Sequence, residues 1–210
     1  MFKNTLFTLR GSVIALALAG CASFASADTS YHATIDTSSM SGAGWLDMSF
    51  LPGMTPAVGA TVTLSNFSGN FGGEVDLTGD ANGALPGSFT MGNSTAYNDV
   101  FQALTLGGSF SFDINFSGAY ENTSGTVGTS LGVGLLSGDQ STYLGNPTGN
   151  LFQIDLMPMQ GSTLSSVNVS MLAGDIASVT AAVPEPSQYL LLLGGLCVLG
   201  AVTARRRSAR

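Results

Sequence analysis

The chain has 210 residues, is 44% hydrophobic and only 9% charged, and carries a formal net charge of −7. Its six basic residues, Lys3, Arg10, Arg205, Arg206, Arg207 and Arg210, all lie within ten residues of an end, and residues 28–183 hold ten Asp, two Glu and no Lys or Arg. Such a region repels nucleic acid and anionic lipid, because phosphate binding needs cations, and it attracts metal cations or basic surfaces instead. Cys21 and Cys197 sit in terminal apolar segments, which excludes a disulfide framework or a thiolate metal site from the middle of the chain.

The N-terminus reads as a signal peptide over residues 1–27. Lys3 and Arg10 form a positive n-region, Val13–Ala19 a short apolar h-region, and Ala25-Ser26-Ala27 a small-x-small site for signal peptidase. Cleavage is expected after Ala27. The apolar run is too short to span a bilayer core of about 30 Å, which argues against a retained anchor. Leu18-Ala19-Gly20-Cys21 offers an alternative processing site, a lipobox in which Cys21 would be acylated.

Residues 28–173 are expected to form an all-β ectodomain, an antiparallel β-sandwich of jelly-roll style. Ser109–Phe116 shows the clearest alternation, with Phe110, Phe112, Ile114 and Phe116 on one side and Ser, Ser, Asp and Asn on the other. Leu46-Met48-Phe50, Val58–Leu64, Phe152-Ile154-Leu156 and Val167-Val169-Met171 alternate in the same way. Tyr31–Ile35, Glu74–Thr78, Ser88–Met91 and Leu131–Leu135 are less regular strand candidates. Turns rich in Gly, Asn and Pro separate them, at Leu51–Gly53, Asn66–Gly73, Gly79–Gly87, Gly118–Gly128 and Ser137–Gly149. No fixed repeat period supports a solenoid. One helix is predicted over Thr95–Leu104, from the spacing of Tyr97, Val100, Phe101 and Leu104. Residues 174–182 read as a linker.

The C-terminus, residues 183–210, has three parts. Val183-Pro184-Glu185-Pro186-Ser187 precedes an apolar run of sixteen residues, Tyr189 to Ala204, and Arg205, Arg206, Arg207 and Arg210 close the chain. The prolines keep the Glu185 segment extended. The run spans about 24 Å as a helix, enough for a transmembrane segment if the arginines snorkel. The Arg cluster is expected to stay cytoplasmic, which places the preceding domain outside. This order of elements resembles the PEP-CTERM sorting signal of Gram-negative bacteria. Tails of this kind also carry the family name ice-binding protein C-terminal domain, which describes a sorting tag and not ice binding. The resemblance implies recognition of Pro184, Glu185 and Pro186 by an exosortase, a membrane-embedded cysteine transpeptidase. It also implies passage through the inner membrane to the envelope, surface or extracellular matrix of a host that makes exopolysaccharide.

The middle offers little for catalysis. A Ser-His-Asp triad would have to use His32, expected on a short edge strand, and no Gly-x-Ser-x-Gly elbow accompanies it. Glu74, Asp76, Asp80 and Glu121 are the candidates for a carboxylate-dependent glycan hydrolase. Calcium is the cofactor that the acidic groups suit best, with Asp76, Asp80 and Asn82 clustered in one Gly-bearing turn, although their spacing is not that of an EF-hand loop. Tyr31, Trp45, Tyr97 and Tyr120 are the aromatic candidates for glycan contact. Thr61 and Thr63 are too few for the repeated flat lattice of an ice-binding surface. The expected role is therefore non-catalytic and structural at the cell surface, with a glycan- or calcium-binding module as the alternative.

Overall fold

The computed structural model describes residues 29–182. The strands run in chain order as β1 (Thr29–Asp36), β2 (Gly42–Pro52), β3 (Thr61–Ser68), β4 (Phe71–Thr78), β5 (Ala81–Gly83) and β6 (Phe89–Gly92), then β7 (Asp99–Leu106), β8 (Ser109–Ser117), β9 (Thr129–Ser137), β10 (Phe152–Met157), β11 (Ser166–Met171) and β12 (Ala177–Ala181). They form two six-stranded antiparallel sheets. The first has the order β12-β1-β8-β3-β6-β5 and the second β11-β10-β9-β2-β7-β4. Among the described residues the only helical element is a 3-10 turn at Ala119–Glu121. The expected all-β fold of two antiparallel sheets is therefore the one observed.

Period-2 alternation turns one face of each sheet inward. Phe110, Phe112, Ile114 and Phe116 of β8 are buried, as are Leu46, Met48 and Phe50 of β2 and Phe152, Ile154 and Leu156 of β10. Rings tie the two layers together. Phe50 of the second sheet stacks on Phe116 of the first with centroids 6.3 Å apart, and Phe71 meets Phe110 edge-on at 5.2 Å. Phe67 meets Phe71 of the second sheet in a T-shaped contact at 5.5 Å, and within its own sheet it stacks on Phe112 at 5.3 Å. Each fully buried ring contributes about 2–3 kcal/mol by transfer from water, enough to hold a domain that has no disulfide.

Three expectations need correction. Thr95–Leu104 is not a helix: Asp99–Leu106 is strand β7, paired with both β2 and β4. The inward positions of that strand are Val100, Gln102, Leu104 and Leu106, and the buried Gln102 amide donates to the carbonyls of Gly72 and Glu74 at 2.8 and 3.0 Å. Those carbonyls lie where the β4–β7 register shifts between Phe71 and Val75, so a polar residue stands in an apolar row to satisfy a bulge. Residues 174–182 are not a linker. Ala177–Ala181 completes the first sheet against Tyr31–Ile35, and Ala182 N donates to Ser30 O at 2.8 Å. His32 does not lie on an edge strand, because β1 sits between β12 and β8.

Candidate functional site

The outer face of the second sheet gathers the groups able to bind something. Residues paired across neighbouring strands point to the same side. One row runs from Asp76 on β4 through Phe101 on β7 and Asp47 on β2 to Gly134 on β9. The next row runs Thr78, Asp99, Ser49, Gly132 and Gln153. Trp45, two residues before Asp47, stacks on Phe101 with centroids 5.0 Å apart and planes inclined by 9°, and its indole N–H donates to Gly138 O at 3.3 Å. Tyr97 and Tyr143 flank this area and are 51% and 41% exposed, so both present ring surface to solvent.

Between the aromatic groups lies an acid pair. Asp47 and Asp99 are within hydrogen-bonding reach of each other, and the Oδ1 atom of each is buried with no hydrogen-bond partner. Burial raises the pKa of Asp47. Burial first, then the hydrogen bond to Asp47 and its charge, pushes Asp99 up to about 8. Two carboxyls this close and this dry cannot both ionise cheaply, so near neutrality they share one proton. Tyr97 is also raised, by burial and then by the charges of Asp99, Asp47 and Tyr143.

The loop before β7 is locked by Asn98, which is fully buried. Its amide donates to Phe50 O and Thr95 O, each at 2.9 Å, and its Oδ1 accepts from Asp80 N at 2.8 Å. This one side chain therefore fixes Tyr97 and Asp99, its two chain neighbours, to the end of β2 and to the β4–β5 turn. Gly79 belongs to the same lock. Its φ is +69°, and a Cβ there would lie 2.0 Å from Tyr97 O, so only glycine permits the approach.

The predicted calcium residues do not converge. Asp76 faces out from the second sheet, whereas Asn82 pairs with Thr90 on the outer side of the first. The chain changes sheet at Gly79–Asp80, so residues close in sequence end on opposite faces. Asp80 accepts from Ser94 Oγ at 2.7 Å beside an open depression of about 350 Å³. No group of three or more His, Cys, Asp or Glu gathers as metal ligands among the described residues. Of the four aromatic candidates, Trp45 and Tyr97 reach the face just described. Tyr31 packs half-buried against Phe116 at 6.2 Å and Tyr120 is buried in the core.

The outer face of the first sheet is built from hydroxyls and amides. Ser30, Asn115, Thr63, Thr90 and Asn82 form one row across it. His32 Nδ1 lies 2.6 Å from Asp113 Oδ1, and Asn66 Nδ2 donates to Asp113 Oδ2 at 2.7 Å. The Asn66 bond first, then His32, holds the Asp113 carboxyl below its usual value. Glu121 lies in the 3-10 turn and Glu74 on the exposed edge strand β4.

The signal peptide, Ala25 and Ala27, Cys21, Pro184, Glu185, Pro186, the predicted membrane segment and Arg205–Arg210 lie outside the described residues. Residues 182–207 match the model of the PEP-CTERM protein-sorting motif, beginning one residue before the predicted 183, and the chain carries that sorting domain. The motif implies export to the envelope or extracellular space, with an exosortase as processing partner. No curated protein and no solved structure matches the chain.

Proposed function

We propose that the chain is an exosortase-processed surface or matrix protein whose β domain binds exopolysaccharide on the outer face of its second sheet and does not cleave it. The observation that carries this is the gathering of Trp45, Phe101, Tyr97 and Tyr143 on one solvent-facing surface beside Asp47 and Asp99. Flat aromatic rings offer the apolar faces of sugars a platform, and carboxyl and amide oxygens beside them accept from sugar hydroxyls. A domain with twelve carboxylates and no Lys or Arg suits a neutral polymer, since an acidic one would be repelled.

The non-catalytic part rests on spacing. Glycosidases hold their two carboxyl groups about 5 Å apart or more, with the scissile bond between them. Asp47 and Asp99 lie within hydrogen-bonding reach of each other, closer than that spacing, which leaves no room for a sugar in the gap.

The test is co-sedimentation of the full chain, in mild detergent, with neutral exopolysaccharide from the producing host. Trp45→Ala and Tyr97→Ala should each reduce the bound fraction at least fivefold while the melting curve stays cooperative. Retention of both variants at the level of the unaltered protein would refute the assignment of this face. Release of reducing sugar during the incubation would refute the absence of catalysis.

A further inference from the structure

We propose that Asp47 and Asp99, with Ser49 and Asn150, form a binding site for a hard divalent cation of the calcium type on the outer face of the second sheet. Asp99 is only 6% exposed, and its Oδ1 has no hydrogen-bond partner; the Oδ1 of Asp47 is likewise buried and unpaired. Buried carboxylate oxygens require a donor, a proton or a metal. The described residues supply no cationic side chain for this, because they contain no Lys or Arg and their one His, His32, is bound to Asp113 on the other sheet. What completes the pair, a shared proton or a metal ion that replaces it, must therefore come from solution.

The surroundings supply further oxygens. Ser49 is the cross-strand partner of both Asp99 and Gly132, which places its hydroxyl on the same face. The missing side chains of Gly132 and Gly134 leave a floor over which Asn150 reaches. A Cβ at Gly132 would meet Asn150 Nδ2 at 2.4 Å and Ser49 Oγ at 3.1 Å, and one at Gly134 would lie 3.7 Å from Asn150 Oδ1 and 3.8 Å from Asp47 Cβ. Two carboxylates, a hydroxyl and an amide are oxygen donors only. That set favours Ca²⁺, which accepts irregular geometry with water completing the shell, over zinc or copper, which seek imidazole or thiolate. The other titratable groups on this face are Tyr97 and Tyr143 beside the pair, Asp76 across Phe101, and Asp155 on β10, which already accepts from Ser130 and Gln153.

The experiment uses the full chain in mild detergent, stripped with chelator, and no glycan. Terbium(III) is titrated in at pH 8, with tyrosine and tryptophan excited, and CaCl₂ is then used to displace it; melting curves are recorded with and without CaCl₂ at the same pH. The expected results are sensitised terbium emission from the neighbouring Trp45, Tyr97 and Tyr143, and a rise in melting temperature of about 5–10 °C at a hundredfold excess of Ca²⁺ over its dissociation constant. Asp47→Asn and Asp99→Asn should abolish both signals, Ser49→Ala should weaken binding several-fold, and Asp80→Asn in the β4–β5 turn should change neither. Absence of emission and of a melting shift in the unaltered protein would overturn the site. So would signals that survive Asp47→Asn and vanish in Asp80→Asn.

Discussion

Replacing Asp99 by Asn should remove a pH dependence that the acid pair builds into the domain. In the unfolded chain Asp99 titrates near 3.8, and in the folded one near about 8. Between these values the folded state holds more protons than the unfolded state, so this group's stabilisation is complete below pH 3.8, falls as pH climbs, and is gone above about 8. At about 1.4 kcal/mol per unit the full span would be worth roughly 6 kcal/mol. Solvent at the rim of the pair, and the sharing of one proton between two carboxyls, reduce the expected fall to about 2 kcal/mol. In Asp99→Asn the amide N–H can donate to an ionised Asp47, which no longer competes with a second carboxyl for a proton, so the fall attributed to Asp99 disappears. With chelator present, the variant should melt about 4–8 °C above the unaltered protein at pH 8.5 and within about 2 °C of it at pH 4.5. Asp36, Asp113 and Asp139 have lowered values, from hydrogen bonds with Ser38, with Asn66 and His32, and with Ser137 and Ser141 respectively. Their contribution is lost only as pH falls below 3.8, outside this window. Thermal melts every half unit from pH 4 to 9 decide the matter: parallel curves for the two proteins, or stability that rises across the window, would refute the shared proton.

Further predictions concern the residues around the pair and the tail. Asn98→Ala leaves the Phe50 carbonyl and the Asp80 amide without their buried partner and should cost about 2–3 kcal/mol, measured by urea unfolding, with a sharp drop in polysaccharide binding as Tyr97 and Asp99 loosen. Gly134→Ala meets only ordinary contacts at 3.6–3.8 Å and should melt at or slightly above the unaltered protein, whereas Gly132→Ala must push Asn150 aside and should lose about 1–2 kcal/mol together with terbium emission. Replacing Pro184, Glu185 and Pro186 together by Ala should leave the tail uncut in the native host, seen by intact mass and by retention in the membrane fraction.

Where one side of a strand is apolar and the other polar, the pattern in the chain was sufficient to find it. β8, with four inward residues between Ser, Asp and Asn, shows this most plainly, and β2 and β10 follow. Polar groups on the inner side hid β7. Gln102 occupies an inward position for the sake of a bulge in β4, and Tyr97, Val100, Phe101 and Leu104 then imitate helical spacing. β12 was hidden for a different reason: Ala177-Ser178-Val179-Thr180-Ala181 has too little apolar bulk to announce a buried face, yet Ala177 is 5% exposed and closes the first sheet. The site was legible only in fragments. Trp45-x-Asp47 and Asp99-x-Phe101 each put an aromatic and an acid on one side of a strand, and that signal stands in the chain. That the two segments are neighbours depends on β2 pairing with β7 across fifty residues, which no local pattern encodes.

The order of strands also separates the sorting motif from the proposed binding face. β12 is the edge strand of the first sheet, and the sorting motif follows it directly at residue 182. The aromatic and acidic face belongs to β4, β7, β2 and β9 of the other sheet. A domain held to its support through the end of β12 therefore has that face on the layer it is not held by. The sandwich keeps the two roles apart because its core seals one sheet from the other, so extending the chain between Ala182 and Pro184 with a Gly-Ser spacer should leave polysaccharide and cation binding by the domain unaltered. If the spacer weakened either, the tail would have to reach around the sandwich to the second sheet, and the separation of attachment from binding would fail.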